Sequence, residues 1–396
     1  MNPLRKLPTS RLLGVVAGVA VVAGGGAAIA GAVGGGAAPP PEPLAVAVHD
    51  ALAAPALQGV TARIRFTNHL IDSSSLQRGD PLLTGASGRL WMSDQGKLRL
   101  ELQSGDGDVQ VLLDGRNLSV YDPSQQTVYR ATLPEGLPQG AEGKGEVPTV
   151  QRIEGWLASL MQGADLSGAI PGVVAGQPAY TVRISPKHDG GLLGSAELAW
   201  DATHGVPLRA AVYAAGNPSP VLELIATDVS YGPVAASDLA VAPPAGAKVV
   251  ELALPAGIGA ESGRNEPRRV SGLAAVQAAV GFPVAAPPTL VGLPRRGVRL
   301  VDRDGTAAAL VTYGQGLGGI AVLEAPAKPA GGASPGGERG SLFGGLPAVA
   351  IDGVTGRELD TALGTVVWFT RGGVEFTLLG SVPPVAAEAA ARGLTS

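Results

Sequence analysis

The sequence predicts an α+β protein whose main feature is a curved antiparallel sheet. Between residues 84 and 134, five or six short segments of alternating polar and apolar residues follow one another closely. Turn signals separate them, as at Asp94-Gln95-Gly96 and Asp114-Gly115. Strands this close leave no room for crossover helices, so they must pair as antiparallel hairpins. The apolar face of such a sheet is broad enough to hold more than its own core.

Composition narrows the range of functions. The 396 residues, 45% of them apolar, suffice for two or three domains with real cores. A net charge of -4 gives no electrostatic reason to expect nucleic acid as a partner. The absence of cysteine excludes disulfides, thiolate metal sites, cysteine nucleophiles and the lipid-modified cysteine of a bacterial lipoprotein. Any membrane attachment must therefore be made by the polypeptide itself.

Residues 1–40 are predicted to be a signal peptide or a membrane anchor. Arg5, Lys6 and Arg11 precede an apolar, Gly/Ala-rich stretch that reaches residue 33. Ala28-Ile29-Ala30 offers a cleavage site, but residues 12–33 are also long enough to span a membrane. Both alternatives stay open. In either case residues 5–33 predict that the rest of the chain is exported and extracytoplasmic.

The first globular unit is predicted over residues 41–250. A short helix is expected at 44–57, followed by strands in which Ile64 and Phe66 alternate with Arg63 and Arg65. This alternation indicates a sheet with one wet face. Further strands are predicted by the same pattern at 97–103, 117–121, 126–131, 179–185, 195–201, 206–213 and 221–231.

One strongly helical segment interrupts these strands at residues 149–162. Its large apolar residues recur at helical spacing and form one stripe: Ile153, Trp156, Leu157, Leu160 and Met161. Two interpretations stay open. The helix either caps the core of the sheet or acts as a movable lid over the open side of a partial barrel. Gly155 and Gly163 would ease such a movement.

A linker over residues 251–269 and a smaller α+β domain over 270–396 complete the predicted organisation. A helix is expected at 270–280 and a last one after Pro383 and Pro384. Residues 326–340 are a low-complexity tract. Strands of this domain are predicted at 298–302, 307–313, 319–323, 365–370 and 374–379.

Signals of catalysis are weak. The histidines His49, His69, His188 and His204 lack metal-ligand spacing. Residues 314–319 fit G-x-G-x-x-G, but predicted strands flank them on both sides, so a glycine-rich hairpin turn is the better account. Residues 332–336 fit a nucleophile elbow only inside the low-complexity tract. The sequence therefore predicts no enzyme, no metal site and no cofactor.

Several runs of this sequence resemble a known family. The runs are 85–91, 96–101, 113–123 with 128–130, 198–201 with 205–209, and, in the second unit, 281–283, 304–305 leading into 320–324, and 380–384. Together they resemble the lipoprotein-carrier family LolA and its relative RseB, in an exported protein of the actinobacterial type.

The resemblance implies a half-open antiparallel β-barrel, closed by helices, whose apolar interior holds acyl chains. In this superfamily LolA ferries lipoproteins, mycobacterial relatives handle complex lipids, and RseB contacts an anti-sigma factor. The second domain and the N-terminal apolar segment depart from a free carrier and favour a sensor or a membrane-tethered acceptor.

Three hypotheses follow: a module that binds lipid or lipoprotein acyl chains, a regulatory module that contacts an anti-sigma factor, and an envelope hydrolase, which no residue pattern supports. Acyl-chain binding needs only apolar surface, because burying each methylene contributes about 0.8 kcal/mol. For every candidate lining residue, ordinary core packing stays an alternative. The candidates are Ile64, Phe66, Leu90, Leu98, Leu100, Leu102, Val111, Leu113 and Val120, with the stripe of residues 153–161 as the lid.

Overall fold

The computed structural model describes residues 37–71, 85–103, 108–123, 126–133, 147–187, 191–240, 242, 244–252, 270–303, 305–315, 318–327 and 346–394. The predicted N-terminal apolar helix, most of the linker and most of the low-complexity tract lie outside these residues. Within them the chain is mostly β, with two sheets and five short helices. The predicted α+β class is therefore corrected towards β, while the predicted curled antiparallel sheet is present.

The first sheet contains thirteen strands of the described chain. They are β1 (Gly59–Asn68), β2 (Ala86–Ser93), β3 (Leu98–Leu102), β4 (Val109–Asp114), β5 (Asn117–Asp122), β6 (Thr127–Thr132), β7 (Ala164–Leu166), β8 (Ile170–Val174), β9 (Gln177–Pro186), β10 (Leu193–Asp201), β11 (Pro207–Ala214), β12 (Pro220–Tyr231) and β13 (Lys248–Leu252).

The strand order is β13-β6-β5-β4-β3-β2-β1-β12-β11-β10-β9-β7, with β8 also paired to β9. The pairs are antiparallel except for β13, which runs parallel to the edge strand β6. Two meanders, β1 to β6 and β9 to β12, are joined where β1 pairs with β12. In that register Val60 lies opposite Tyr231, and Ile64 lies opposite Ala226.

Period-two alternation assigns one face of the first sheet to its core. On β1, Val60 and Ile64 are buried, whereas Arg63 and Arg65 between and beyond them are exposed. The buried side chains of β1 to β6 pack with those of β11 and β12 in one cluster. Because strands from both meanders contribute, the sheet curls and its inner face packs on itself.

Three helices accompany this sheet. Helix α1 (Leu44–Ala53) packs Ala47 against Tyr180, Val182 and Trp200, on the part of the sheet that β9 and β10 form. Helix α2 (Val150–Leu160) lies against α1. A third, one-turn helix, α3 (Ala236–Leu239), lies against β2 and β3.

The second sheet has eight strands of the described chain, in the order β14-β15-β16-β17-β21-β20-β19-β18. They are β14 (Thr289–Leu290), β15 (Leu293–Arg303), β16 (Thr306–Tyr313), β17 (Ile320–Pro326), β18 (Ala348–Ile351), β19 (Val354–Thr361), β20 (Gly364–Arg371) and β21 (Val374–Gly380). Helices α4 (Leu273–Val280) and α5 (Pro384–Gly393) pack on it, and together they form a separate hydrophobic core.

The two sheets touch through backbone hydrogen bonds. The Leu192 amide donates to the Ser381 carbonyl at 3.0 Å, and the Ala362 amide donates to the Leu70 carbonyl at 2.9 Å. Strand β13 extends to Leu252, two residues into the predicted linker. The domain boundaries themselves stay a prediction.

Candidate functional site

A cavity of about 70 Å³ lies on the inner face of the first sheet. Its described lining comes from β1, β2 and β3 on one side and, on the other, from β10, β11 with the preceding Val206, and β12. Fourteen of the fifteen residues are apolar: Val60, Ala62, Ile64, Leu90, Met92, Leu98, Leu198, Val206, Pro207, Leu208, Ala210, Leu224, Ala226 and Val229, with Arg209 as the exception. Such a surface can hold hydrocarbon but offers little to a polar ligand.

The charge of Arg209 is fully engaged by its neighbours. Its Nε donates to Glu223 at 2.7 Å and its Nη1 to Glu197 at 2.5 Å, while Nη2 donates to the Tyr213 hydroxyl at 2.6 Å. Burial raises the pKa of Glu197, but the hydrogen bonds from Arg209, Tyr213 and Arg183 outweigh it, and the pKa is lowered. Glu197 therefore stays ionised and holds Arg209 in place.

A buried carboxylate organises the turn that leads into the cavity wall. Asp201, at the end of β10, accepts hydrogen bonds from the backbone amides of Thr203 and His204, at 2.7 and 2.8 Å. Its second oxygen lies 3.1 Å from His204 Nδ1 and accepts from the Tyr231 hydroxyl at 2.5 Å. Burial raises the pKa of Tyr231 above its usual value, and the Asp201 carboxylate raises it further. With three donors and the His204 ring against it, the carboxylate is fully engaged, which fits a structural role.

The same turn fixes helix α1. Gly205 has a φ of +65°, and a Cβ built there would lie 2.2 Å from the Ala51 carbonyl oxygen of α1. Four residues before the helix begins, the Tyr180 hydroxyl donates to the Pro40 carbonyl at 2.6 Å. Helix α1 is thus held at both ends over β9 and β10, next to the cavity. Leu198 packs in the cluster beneath α1 and also lines the cavity.

The nine predicted cavity residues fall into two groups. Ile64, Leu90 and Leu98 line the cavity. The other six belong to the surrounding core. Leu113 is half-buried there, and the remaining five are buried: Phe66, Leu100, Leu102, Val111 and Val120. The part of the cavity lining that β10, β11 and β12 supply was not predicted from the sequence. Its alternation was visible in the sequence, but the pairing of β1 with β12 that brings it to the cavity was not.

The predicted lid residues lie on α2 and at its C-cap, Met161. Thr149 caps α2 by accepting the Arg152 amide at 3.4 Å. Ile153 is buried and Leu157 half-buried, whereas the other three members of the stripe are exposed. No described residue of α2 lines the cavity, and α1 is the helix that covers the adjacent inner face. A lid role for α2 stays a prediction.

Two kinds of feature are absent from the described residues: a cluster of metal ligands and a helix that could span a membrane. No three His, Cys, Asp or Glu side chains come close enough to hold a metal ion there. Within the same ranges, no helix combines the length and the apolar character that crossing a membrane requires.

Comparison with known proteins gives likenesses in structure alone. No family model matches the chain. No curated protein matches it in sequence. Among solved structures, the chain is similar to MucB in complex with MucA(peri), at 16% identity and a TM-score of 0.40, over 88% of this chain and 94% of that one. The Pseudomonas aeruginosa MucA/MucB complex gives 18% identity and a TM-score of 0.39 over the same shares.

A lipoprotein-sorting protein domain from Vibrio parahaemolyticus is a further likeness. It has 11% identity and a TM-score of 0.20, and the match covers 46% of this chain and 88% of that one. The solved structures that are similar to this chain thus include MucB, an RseB protein, and a LolA-like lipoprotein-sorting domain, all at low sequence identity.

Proposed function

We propose that this protein binds acyl chains of lipids or lipoproteins on the inner face of its first sheet, outside the cytoplasm, as a carrier, acceptor or envelope sensor. The observation that carries the proposal is the cavity between β1–β3 and β10–β12, whose described lining is apolar apart from Arg209. The basic and apolar pattern of residues 5–33 supports export.

The energetics favour hydrocarbon as the ligand. Each methylene that leaves water contributes about 0.8 kcal/mol, so a few inserted methylenes give several kcal/mol without any specific polar contact. Among the described lining residues a polar head group would find no free charged partner, because the guanidinium of Arg209 is already bound by Glu197 and Glu223. The head group of a bound lipid therefore stays at the mouth of the cavity.

Binding also requires the cavity to widen. At about 70 Å³ it is larger than the voids of a close-packed interior but smaller than pockets that enclose a whole drug-sized ligand. The two walls come from different meanders, which meet at β1 and β12. We expect the wall of β2 and β3 to move away from that of β10 and β11 as a chain enters.

The experiment is a titration of the purified protein with a fluorescent long-chain fatty acid. Ala62→Leu fills the cavity from β1, and Thr61→Leu places the same side chain one residue earlier, on the opposite face of the strand. We expect Ala62→Leu to weaken binding by about tenfold or more and Thr61→Leu to leave it within about twofold.

Native mass spectrometry of protein purified from its host's envelope supplies an independent check. A co-purifying acyl lipid supports the proposal. A well-folded protein that carries no lipid and takes up none, or equal affinities for the two leucine variants, would contradict it. Circular dichroism and thermal unfolding of both variants establish that the fold is retained.

A second candidate is a regulatory protein-interaction role. The observation in its favour is Leu379 on β21, which is 55% exposed in the middle of the second sheet. Half-buried Ala321 and Val366 lie opposite it on the neighbouring strands. An apolar side chain at such a position suits a protein partner. The sequence resemblance implies an anti-sigma factor as that partner.

Calorimetric titration with the extracytoplasmic segment of an anti-sigma factor encoded in the same genome tests this role. We expect Leu379→Lys to weaken binding. Val385→Lys, at the more exposed start of α5, should leave it unchanged. Equal binding by both variants would contradict a role of this surface.

A further inference from the structure

Helix α2 exposes most of its apolar stripe. Trp156, Leu160 and Met161 are 51%, 45% and 45% exposed, and they fall within two turns of one another. A helix that packs on a globular core normally turns such a stripe inward. Here Ile153 is the one fully buried residue of the helix. Trp156 and Leu160, four residues apart, share one exposed side of α2, and Met161 is exposed at its C-cap. Three large apolar side chains exposed this close together in the chain indicate a contact surface rather than scattered exposure.

This face lies next to the place where the N-terminal segment joins the fold. Helix α2 lies against α1, which begins at Leu44, and Pro40 is held by the Tyr180 hydroxyl. The apolar stretch of residues 12–33 ends eleven residues before Leu44. Even a fully extended connection of that length spans at most about 40 Å. If residues 12–33 enter a bilayer, α2 therefore stays within reach of its surface.

The charges around the exposed face suit a bilayer interface. The Arg152 guanidinium lies 5.6 Å from the centre of the Trp156 ring. Near the other end of the helix, Lys187 Nζ donates to the Met161 carbonyl at 3.1 Å. Glu154 is the single acidic residue of α2. Tryptophan with flanking cations is typical of segments that lie in the head-group region, where anionic lipids attract basic side chains.

We propose that the exposed face of α2, formed by Trp156, Leu160 and Met161 and flanked by Arg152 and Lys187, docks onto the surface of an anionic lipid bilayer. The face inserts its three apolar side chains at the level of the head groups. This contact is separate from acyl-chain binding in the cavity, because no described residue of α2 lines that cavity. It shares with the proposed function only the expectation that residues 5–33 reach a membrane.

The absence of cysteine from the whole chain makes a direct test straightforward. The full chain with Leu160→Cys is labelled with an environment-sensitive dye and reconstituted into vesicles of phosphatidylcholine and phosphatidylglycerol. The matched control is Val385→Cys on α5, which is 73% exposed. We expect a blue-shifted emission at position 160, and quenching by lipid-borne quenchers about threefold stronger than at position 385.

Charge and apolar variants of the labelled chain refine the test. Arg152→Gln shifts the docked fraction about fivefold towards the undocked form in anionic vesicles and has a smaller effect in neutral ones. Trp156→Ser shifts it by a similar factor in both kinds of vesicle. Equal quenching at positions 160 and 385 would overturn the proposal.

A blue shift at position 160 without vesicles would also overturn it. If that shift depends on protein concentration, a second copy of the chain covers the face, and otherwise the N-terminal segment does. Fatty-acid uptake is measured on the same samples. Loss of uptake with quenching retained contradicts the cavity proposal alone, and retained uptake with no quenching contradicts the docking proposal alone.

Discussion

Burial of Glu324 should make the stability of the second sheet depend on pH. Glu324 lies on β17 and is wholly buried. Its Oε2 accepts the Ala285 amide at 2.8 Å, whereas Oε1 has no hydrogen-bond partner among the described residues. Burial raises the pKa of Glu324 from 4.5 to about 7, against the lowering effect of the Ala285 hydrogen bond. The folded state therefore favours the neutral carboxylic acid.

The sign of the effect follows from where the proton is bound. Between pH 4.5 and 7 the folded protein holds a proton on Glu324 that the unfolded chain has lost, so the free energy of unfolding falls as pH rises. Below pH 4.5 the contribution is fully present. Each pKa unit corresponds to about 1.4 kcal/mol, and the rise from 4.5 to about 7 therefore corresponds to about 3 kcal/mol.

Glu324→Gln removes this dependence while keeping an oxygen that can accept the Ala285 amide. Urea unfolding of variant and wild type is followed at pH 4 and pH 8 by circular dichroism. From pH 4 to pH 8, we expect the free energy of unfolding of the variant to rise by about 3 kcal/mol relative to that of the wild type. A difference between the two proteins that stays constant from pH 4 to pH 8 would refute the reasoning.

Three further predictions concern the turn that holds α1 and the cavity wall. Asp201→Ala leaves three donors without their acceptor and should lower the free energy of unfolding by about 3 kcal/mol or more, as measured by urea denaturation. Tyr231→Phe removes one of these donors and should cost about 1 to 2 kcal/mol in the same assay; equal losses for both variants would contradict the shared network. Gly205→Ala should lower the free energy of unfolding by more than about 2 kcal/mol and speed amide exchange in α1, because its Cβ would meet the Ala51 carbonyl. The control is Gly216→Ala, which has a similar φ but open space around it and should leave α1 unaffected.

Local periodicity predicted much of the first sheet. The strands expected at 179–185, 195–201, 206–213 and 221–231 correspond to β9 to β12, because alternation of buried and exposed side chains is a property of each strand alone. Residues 348–361 were not predicted as strands, although β18 and β19 lie there. Gly353 and Gly356, with the charged residues of β19, obscure the alternation.

The cavity was harder to predict because it depends on pairing between distant strands. Alternation indicated that Ile64, Leu90 and Leu98 face inward but gave no register between β1 and β12. The stripe of α2 was predicted correctly as a helix, yet periodicity alone does not reveal that the adjacent inner face is already covered by α1. Amphipathic character predicts that a face needs a partner and does not identify the partner.

The pairing of β1 with β12 also sets the order in which the site can be made. Val60 meets Tyr231 across this pair, so the two walls are joined by residues about 170 positions apart. A growing or translocating chain that has not yet delivered residue 231 has no complete cavity. Contacts of such long sequence separation form slowly, so the two walls stay apart while the chain between them is being made. The cavity between the two walls therefore forms only after β12 has been made, and the edge strand β13 is the one described strand of the first sheet that follows it in the chain.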